Sequence, residues 1–327
     1  MHEPHLPEST LPSGIALLER GWLSSNSVLL TCLSECVLID SGHLAHASQT
    51  LGLVQKLLGD RRLDRLINTH LHSDHCGGNA ILQRHYVGLQ TLVGPGQAVH
   101  VQQWRTEHLP HVPTGQPCER FKCDAILDPG KEIELAGRLW LPLPAPGHDP
   151  HALMLWCEEH RLLISADALW ENGFGIVFPE LIGESGFQDV AKTLDQIEQM
   201  HPQTVLPGHG QAFSDVPTAL KHARARLEKF KANPAAHHQH AIKALIKFMF
   251  LEWGNRDWAD VCAWLDKASM IKDALIYGLE KGYAPTATNG ESAFVPIDDT
   301  QHWIANAIEE LSRQGQLTTA GTQIMNQ

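Results

Sequence analysis

The sequence predicts a mixed α and β region over residues 1–215, followed by a mostly helical region over residues 216–327. Up to about residue 213, short apolar runs of strand length alternate with segments of helical periodicity. In the later segments, the apolar residues recur at helical spacing alone. At the junction, Asp215 and Pro217 suit the first turn of a helix. We therefore predict two domains, which a length of 327 residues also favours.

The predicted strands are short apolar runs bounded by turn or polar residues. They cover residues 27–31, 35–40, 65–69, 132–135, 139–143, 153–157, 162–165 and 204–206. Helical spacing predicts helices over residues 49–58 and 187–200, and Asn79 suits the cap of another. In the second region, the predicted helices cover residues 220–231, 240–251, 259–265, 271–279 and 303–313. Residues 105–130, rich in Pro, Gly and His, are expected to form a long irregular connection.

Composition narrows the class of protein. A hydrophobic fraction of 43% and a charged fraction of 19% are those of a globular chain. No apolar run reaches the roughly 18 residues needed to span a bilayer, and no secretory signal is evident, so we expect a cytoplasmic protein without a membrane partner. The formal charge of −12 arises entirely in residues 1–215, because residues 216–327 hold twelve basic and twelve acidic side chains. This balance disfavours a nucleic-acid partner, which needs clustered Lys and Arg.

The numbers and spacing of cysteine and histidine residues indicate different properties. The seven cysteines are scattered and form no C-x-x-C pair, which indicates reduced thiols. The 21 histidines are roughly three times the usual number, which directs attention to metal binding.

The segment from Thr69 to Gly78 reads H-x-H-x-D-H and lies between a predicted strand and a predicted helix. Its histidines His70 and His72 are two residues apart, so both can point the same way from extended backbone. Asp74 and His75 are neighbours and diverge, so they can serve a different ion. Gly77 and Gly78 then allow a tight turn into the next helix.

Three further candidate ligands follow predicted strands: His148, Asp167 and His209. Two of them, His148 and His209, each lie in a Pro-Gly-His sequence. Together with the first segment they give five imidazoles and two carboxylates. This donor set suits Zn²⁺ or iron and is poor for Ca²⁺ or Mg²⁺, which prefer oxygen ligands.

This ordered set resembles the metallo-β-lactamase-fold hydrolases over roughly residues 14–212, and all seven ligand positions of the dinuclear members match. The resemblance implies a four-layer αββα sandwich with the metals at one end, between two sheets. It implies one ion on His70, His72 and His148, and a second on Asp74, His75 and His209. Asp167 would bridge the two ions, and Asp40 matches the aspartate that orients a ligand. Zinc is expected, with iron or manganese as alternatives.

The resemblance also implies a mechanism, in which a metal-bridging hydroxide attacks the substrate and Asp74 handles its proton. The expected substrate is a small ester, a thioester as in glyoxalase II, or a lactone. A phosphodiesterase or ribonuclease of the same fold, a mononuclear iron dioxygenase and a metal-retaining regulator with a blocked cleft remain alternatives. The complete second ligand set disfavours the dioxygenase.

The second region resembles the helical or winged-helix-like appendage that follows this fold in some relatives. We expect it to cover the cleft together with the apolar loop 172–187, and a homodimer remains open. Surface positions are predicted for the loop histidines His43, His46, His108 and His111, and for the run His237, His238 and His240 at a helix start. Cys76 is expected to serve packing.

Overall fold

The computed structural model describes residues 11–285 and 293–327. The strands of the first region are β1 (Ile15–Leu18), β2 (Ser27–Thr31), β3 (Cys36–Ile39), β4 (Arg65–Ile67), β5 (Gln90–Val93), β6 (Ala125–Ile126), β7 (Ile133–Leu135), β8 (Arg138–Pro144), β9 (Leu153–Cys157), β10 (Leu162–Ala166) and β11 (Thr204–Pro207). Its helices are α1 (Ala47–Leu58), α2 (Ser73–Cys76), α3 (Asn79–His85), α4 (Pro95–Gln103) and α5 (Phe187–Met200).

The later elements are α6 (Val216–Ala232), α7 (Pro234–Trp253), β12 (Asn255–Asp257), α8 (Trp258–Leu265), α9 (Ser269–Glu280), α10 (Asp299–Arg313), β13 (Leu317–Ala320) and β14 (Gln323–Asn326). No helix in residues 11–285 or 293–327 has the length and apolar character needed to cross a membrane.

Two mixed sheets form the centre of the first region. One has the strand order β1-β2-β3-β4-β5-β6, and the other has the order β11-β10-β9-β8-β7. Strands β3 to β6 are parallel to one another, as are β10 and β11, while the remaining neighbours are antiparallel. The carboxyl ends of β4, β8, β10 and β11 can therefore present loops at a common end of the sandwich.

The inner faces of the sheets meet in one apolar core, where Val28, Ile39 and Ile67 of the first sheet join Leu155 and Ile164 of the second. Strands β2, β3, β9 and β10 are buried almost throughout because helices also cover the outer faces.

Helices α1 and α3 cover the first sheet, and α5 and α6 cover the second. On the first sheet, Val54 and Leu82 pack against Leu38 and Leu66. On the second, Leu194 and Leu227 pack against Leu163. The αββα layer order is thus confirmed.

The elements after α6 share a separate core, to which Ile246 of α7, Leu275 of α9 and Ile308 of α10 contribute. A small antiparallel sheet of order β12-β14-β13 packs against this core through Leu317 and Ile324. Helices followed by a β-hairpin agree with the winged-helix-like appendage. Helix α6 begins where the domain boundary is predicted, with Asp215 as its cap, yet it packs on the sandwich.

Most predicted elements are present within a few residues of their expected bounds. The elements without a predicted counterpart include α2, β5, α4, β6 and the small C-terminal sheet. Helix α4 lies between β5 and the long connection, which is otherwise irregular apart from a 3-10 turn at Thr106–His108 and the two-residue β6.

Candidate metal centre

Strand ends bring the seven predicted ligands together at one end of the sandwich. His70 and His72 follow β4, and Asp74 and His75 lie in the short helix α2. The other three, His148, Asp167 and His209, come directly after the ends of β8, β10 and β11 or a few residues beyond. All seven side chains are buried, and their donor atoms form three overlapping groups within 4.8 Å.

The first group consists of His70, His72 and His148. Nδ1 of His72 lies 3.1 Å from Nε2 of His70 and 2.7 Å from Nε2 of His148. Three imidazole nitrogens therefore converge on one point. In tetrahedral zinc sites with Zn–N bonds of about 2.0–2.1 Å, neighbouring nitrogens are separated by about 3.3 Å, so the observed spacing is close to that of a ligand set.

The second group consists of Asp74, His75 and His209. The Asp74 Oδ2 lies 3.0 Å from Nε2 of His209 and 3.7 Å from Nε2 of His75. Asp167 lies between the groups, with Oδ2 3.4 Å from Nε2 of His148 and Oδ1 3.6 Å from Nε2 of His75. Its two oxygens thus face one member of each group.

These residues fit divalent cations. The buried Nε2 of His75 has no hydrogen-bond partner among the described residues, although carboxylate oxygens of Asp74 and Asp167 lie 3.7 and 3.6 Å away. Burial, with neighbouring imidazoles, holds the pKa of His70 well below its ordinary value and lowers that of His72 to about 4. Both rings are therefore neutral near pH 7 and can offer lone pairs to a cation.

Three contacts fix the ring orientations. The Nδ1 of His75 lies 2.8 Å from Asp40 Oδ2, and that of His148 lies 2.6 Å from the Ile176 carbonyl oxygen. The Nδ1 of His70 lies 3.1 Å from Thr69 Oγ1. Each contact leaves Nε2 directed into the cluster, which is how hydrogen-bond partners orient metal-binding histidines in proteins.

Backbone conformation is unusual at two of these strand ends. Asp40 and Ala166 have φ values of 58° and 46°, in the left-handed region. Non-glycine residues there carry a cost of order 1–3 kcal/mol, which the surrounding structure must offset. In both cases the conformation ends a strand and aims a carboxylate, that of Asp40 or of the adjacent Asp167, toward His75.

The carboxylates are ionised. Burial opposes ionisation of Asp74, but the neighbouring His75 and His209 outweigh it and lower the pKa of Asp74 to about 2. Burial likewise opposes ionisation of Asp167, and the same histidines hold its pKa well below the usual range. Burial also disfavours protonation of His75, but Asp40, Asp74 and Asp167 outweigh it and raise its pKa well above normal. The cluster therefore concentrates negative charge where a cation would be stabilised.

A cavity of about 640 Å³ lies over the cluster. His72, Asp74, His148, Asp167 and His209 line its floor. Of the apolar loop 172–187, Ile176 and Phe178 line the cavity, whereas Phe174, Val177 and Leu181 are buried in the cores. Arg226 of α6 and Lys243 and Lys247 of α7 also line the cavity.

Several residues near the site were not anticipated. Asp149, which directly follows His148, has its Oδ2 3.7 Å from Nε2 of His72. The indole rings of Trp22 and Trp170 lie against His209, with ring centroids 5.3 Å away in each case. Asp149 could have been predicted from the sequence because it directly follows the candidate ligand His148. No local sequence feature predicts that the two tryptophans lie near the site.

Several predicted surface histidines are buried. His43 and His111 are buried in the connections, although His108 is exposed and His46 is half-buried. In α7, His237 Nε2 accepts a hydrogen bond from the Val177 N–H, and His238 contacts the Ala274 carbonyl oxygen. The solvated-cap interpretation is therefore wrong for His237 and His238, because distant segments cover them, whereas His240 is exposed as predicted.

Comparison with known proteins identifies the class. Residues 20–209, more than half of the chain, match the profile of the metallo-beta-lactamase superfamily. The chain belongs to this superfamily. A metallo-beta-lactamase family protein from Thermus thermophilus has a similar fold, with a TM-score of 0.53 and 19% identity, covering 98% of this chain and 100% of that one.

Two curated relatives are similar in sequence. A Beta-lactamase-like protein 2 homolog of Caenorhabditis elegans is 23% identical over 194 residues, which cover 59% of this chain and 58% of the relative. A hydroxyacylglutathione hydrolase of Synechococcus is 30% identical over 139 residues, which cover 42% and 46%. The chain thus matches about half the length of each of these relatives.

Proposed function

We propose that the protein is a dinuclear metal-dependent hydrolase that acts on a small thioester, with an ester or lactone as the related alternatives. The single observation that carries the proposal is the convergence of seven buried imidazole and carboxylate donors on the floor of a cavity of about 640 Å³. The resemblance to a hydroxyacylglutathione hydrolase, whose name denotes a thioester substrate, supports the thioester over the other bonds.

In this proposal, His70, His72 and His148 would hold one cation, and Asp74, His75 and His209 would hold the other. Asp167 faces both groups and would contribute a carboxylate ligand to the site. Two such cations, zinc being the expected metal, lower the pKa of a bound water and polarise the oxygen of the scissile bond.

The chain's own residues position the reaction. Asp74 is ionised and lines the cavity, so its carboxylate can accept a hydrogen bond from the attacking water and then its proton. Phe178 packs beside the rings of His72 and His148, at centroid distances of 4.6 and 5.5 Å, and excludes water from one side of the site.

The cavity walls favour a substrate with an apolar acyl part and an anionic part. Ile176, Phe178, Phe248 and Leu251 supply apolar contacts. Arg226, by contrast, lines the cavity without a described carboxylate partner, and burial alone lowers its pKa. A half-buried guanidinium without a carboxylate partner suits a carboxylate or phosphate of the substrate's leaving group.

The same geometry bears on the competing functions. The described residues leave the cavity open above the cluster, which disfavours a regulator with a blocked cleft. A phosphodiesterase acting on nucleic acid would need an extended basic groove. Here Lys243 is paired with Glu310, and Lys247 donates to Gln316 and Asn326. These two ammonium groups are already paired and line a single cavity over the cluster, so a small anionic substrate fits better.

The test is a substrate panel with the zinc-loaded protein: acyl thioesters with anionic thiols, neutral esters, lactones and phosphodiesters. We expect thioester turnover to exceed the others, to be lost on chelation and to return with zinc. His72→Ala should reduce turnover by several orders of magnitude and lower the metal content, while the exposed His222→Ala control leaves both unchanged. Full activity in His72→Ala, or preferred turnover of phosphodiesters, would overturn the proposal.

A further inference from the structure

A second cluster of metal-binding side chains lies outside the seven-donor centre. Cys76, His111 and Cys118 each offer a donor atom, and these atoms lie within 4.8 Å of one another. Cys76 ends helix α2, while His111 and Cys118 belong to the connection between α4 and β6. The seven-donor centre uses none of the three, and no sulfur atom takes part in it.

The two sulfur atoms have the separation of zinc ligands rather than of a disulfide. Their distance is 3.8 Å, and both cysteines are free. A disulfide requires about 2.05 Å between sulfurs. In a tetrahedral site with Zn–S bonds of about 2.3 Å, neighbouring sulfurs lie about 3.8 Å apart.

The state of His111 gives a second, independent observation. Its side chain is 1% exposed, yet neither ring nitrogen has a hydrogen-bond partner among the described residues. The Leu71 carbonyl lies near the ring, but without hydrogen-bond geometry. Leaving a buried polar group unpaired costs about 1–3 kcal/mol, so a ligand for the ring is expected. Burial lowers the pKa of His111 to about 4, and the neutral ring is the form that binds metals.

The surroundings suit a metal held by thiolates. Val93, Val101, Leu109 and Phe121 form an apolar shell in the same cluster as Cys76. Two thiolates and one neutral imidazole balance the charge of a divalent cation, so the complex adds no net charge to this shell. Cys118 is half-buried, so water can supply the fourth ligand of a tetrahedral site.

We propose that Cys76, His111 and Cys118 form a third metal site, which binds a thiophilic divalent cation such as Zn²⁺ and has a structural role. The site would link α2, through Cys76, to the connection between α4 and β6, through His111 and Cys118. Between its ligands, Gln116 lines the cavity and accepts a hydrogen bond from Ser73, while the Gly115 carbonyl accepts one from Trp264 Nε1 of α8. The bound ion therefore holds in place the loop on which the C-terminal elements dock.

The experiment uses the full chain, purified under reducing, oxygen-free conditions and loaded with Co²⁺. Thiolate ligands give Co²⁺ a charge-transfer band in the near ultraviolet, and the seven-donor centre has no thiolate. We expect the wild-type protein to show this band and to hold one more ion per chain than Cys118→Ser, which should lack the band. Failure of the seven-donor centre would lower the ion count without removing the band, so the two outcomes can be distinguished.

Two further variants sharpen the result. His111→Gln should also lose the extra ion. Cys123→Ser is the matched control, because Cys123 lies in the same apolar cluster but bonds to the Ala125 carbonyl and belongs to no ligand group among the described residues. It should keep both the band and the ion. The proposal is overturned if the wild-type protein lacks the band, if Cys118→Ser retains it, or if thiol titration finds Cys76 and Cys118 joined as a disulfide.

Discussion

The carboxylate of Asp40 contacts the imidazole of His75 at 2.8 Å, across 35 residues of sequence. The same carboxylate accepts two hydrogen bonds from Thr69, from its backbone N–H at 2.9 Å and from its hydroxyl at 2.7 Å. Three donors thus meet two anionic oxygens beside the β4 strand end. This arrangement fixes Nδ1 of His75 as a donor and leaves Nε2 to face the carboxylates of the cluster.

Asp40→Asn should weaken metal binding. An asparagine offers one acceptor oxygen, so its amide N–H₂ would face a donor from either His75 or Thr69. Its backbone tolerates the left-handed conformation as aspartate does, so the effect reports on the hydrogen bonds. We expect zinc affinity to fall by about 10–100-fold, measured by competition with a chelator. The exposed Asp60→Asn serves as control, and an unchanged affinity in Asp40→Asn would contradict the assigned contact role.

Gly77→Ala should destabilise the fold. The predicted turn between α2 and α3 is present, but Gly77 has an ordinary helical φ of −63°, so its need for glycine is not conformational. A Cβ there would lie 2.2 Å from the Leu44 nitrogen and 2.7 Å from the Ser73 oxygen, both backbone atoms that cannot move aside cheaply. We expect a loss of about 3 kcal/mol in the free energy of unfolding, measured in urea.

Gly52→Ala is the matched control for Gly77→Ala. Gly52 lies inside α1, and a Cβ added there meets nothing within 4 Å. Removing glycine from an open helix position should stabilise by about 0.5–1 kcal/mol. Equal effects of the two substitutions would show that close approach of the backbone at Gly77 is not the constraint.

The parts of the site that the sequence could predict are those tied to strand ends. His70, Asp167 and His209 each follow a buried apolar run, and local periodicity locates such runs well. Sheet topology then brings distant strand ends together without any further local signal. Asp40 was predicted from the family resemblance alone, and the topology explains its position, because β3, which Asp40 follows, is the parallel neighbour of β4.

The remaining features depend on contacts between distant segments. His237 and His238 form a polar run that predicts a solvated helix start, yet their partners Val177 and Ala274 come from other elements. Arg226 has the spacing of an exposed helix position, but its guanidinium packs over the rings of Phe174 and Phe230. Only the packing of α6 and α7 against segments distant in sequence determines which of these polar side chains become buried.

Burial of His237 predicts a pH dependence of stability. Burial, with the nearby His238, His240 and Arg226, lowers its pKa to about 3 from an ordinary value of 6.5. Between these values the unfolded chain binds the proton and the folded chain does not. The stabilising contribution is therefore complete above pH 6.5 and is lost as the pH falls toward 3. From about pH 7 to about pH 5, this group should cost about 2 kcal/mol.

The measurement is the free energy of unfolding of the wild type and of His237→Gln at both pH values. Glutamine can still accept the Val177 hydrogen bond but does not titrate. We expect the variant to lose about 2 kcal/mol less than the wild type over this interval. His222→Gln, at an exposed position, should follow the wild type. Identical pH profiles for wild type and His237→Gln would refute the assignment.

Arg226 should determine affinity for the anionic part of a substrate. Its Nη2 lies 3.0 Å from Nε2 of His240, and its Nε has no partner among the described residues. Because a hydrogen bond to a charged group contributes about 1.5–3 kcal/mol, Arg226→Gln should raise KM for an anionic thioester by about 10–100-fold. The metal ligands are unaffected, so kcat should change little, and KM for a neutral ester should stay near its wild-type value.

Arg224→Gln is the matched control, since Arg224 lies on the same helix but pairs with Asp195 and Glu198 outside the cavity. If Arg226→Gln raises KM equally for charged and neutral substrates, the guanidinium supports the cavity wall and does not bind the anion.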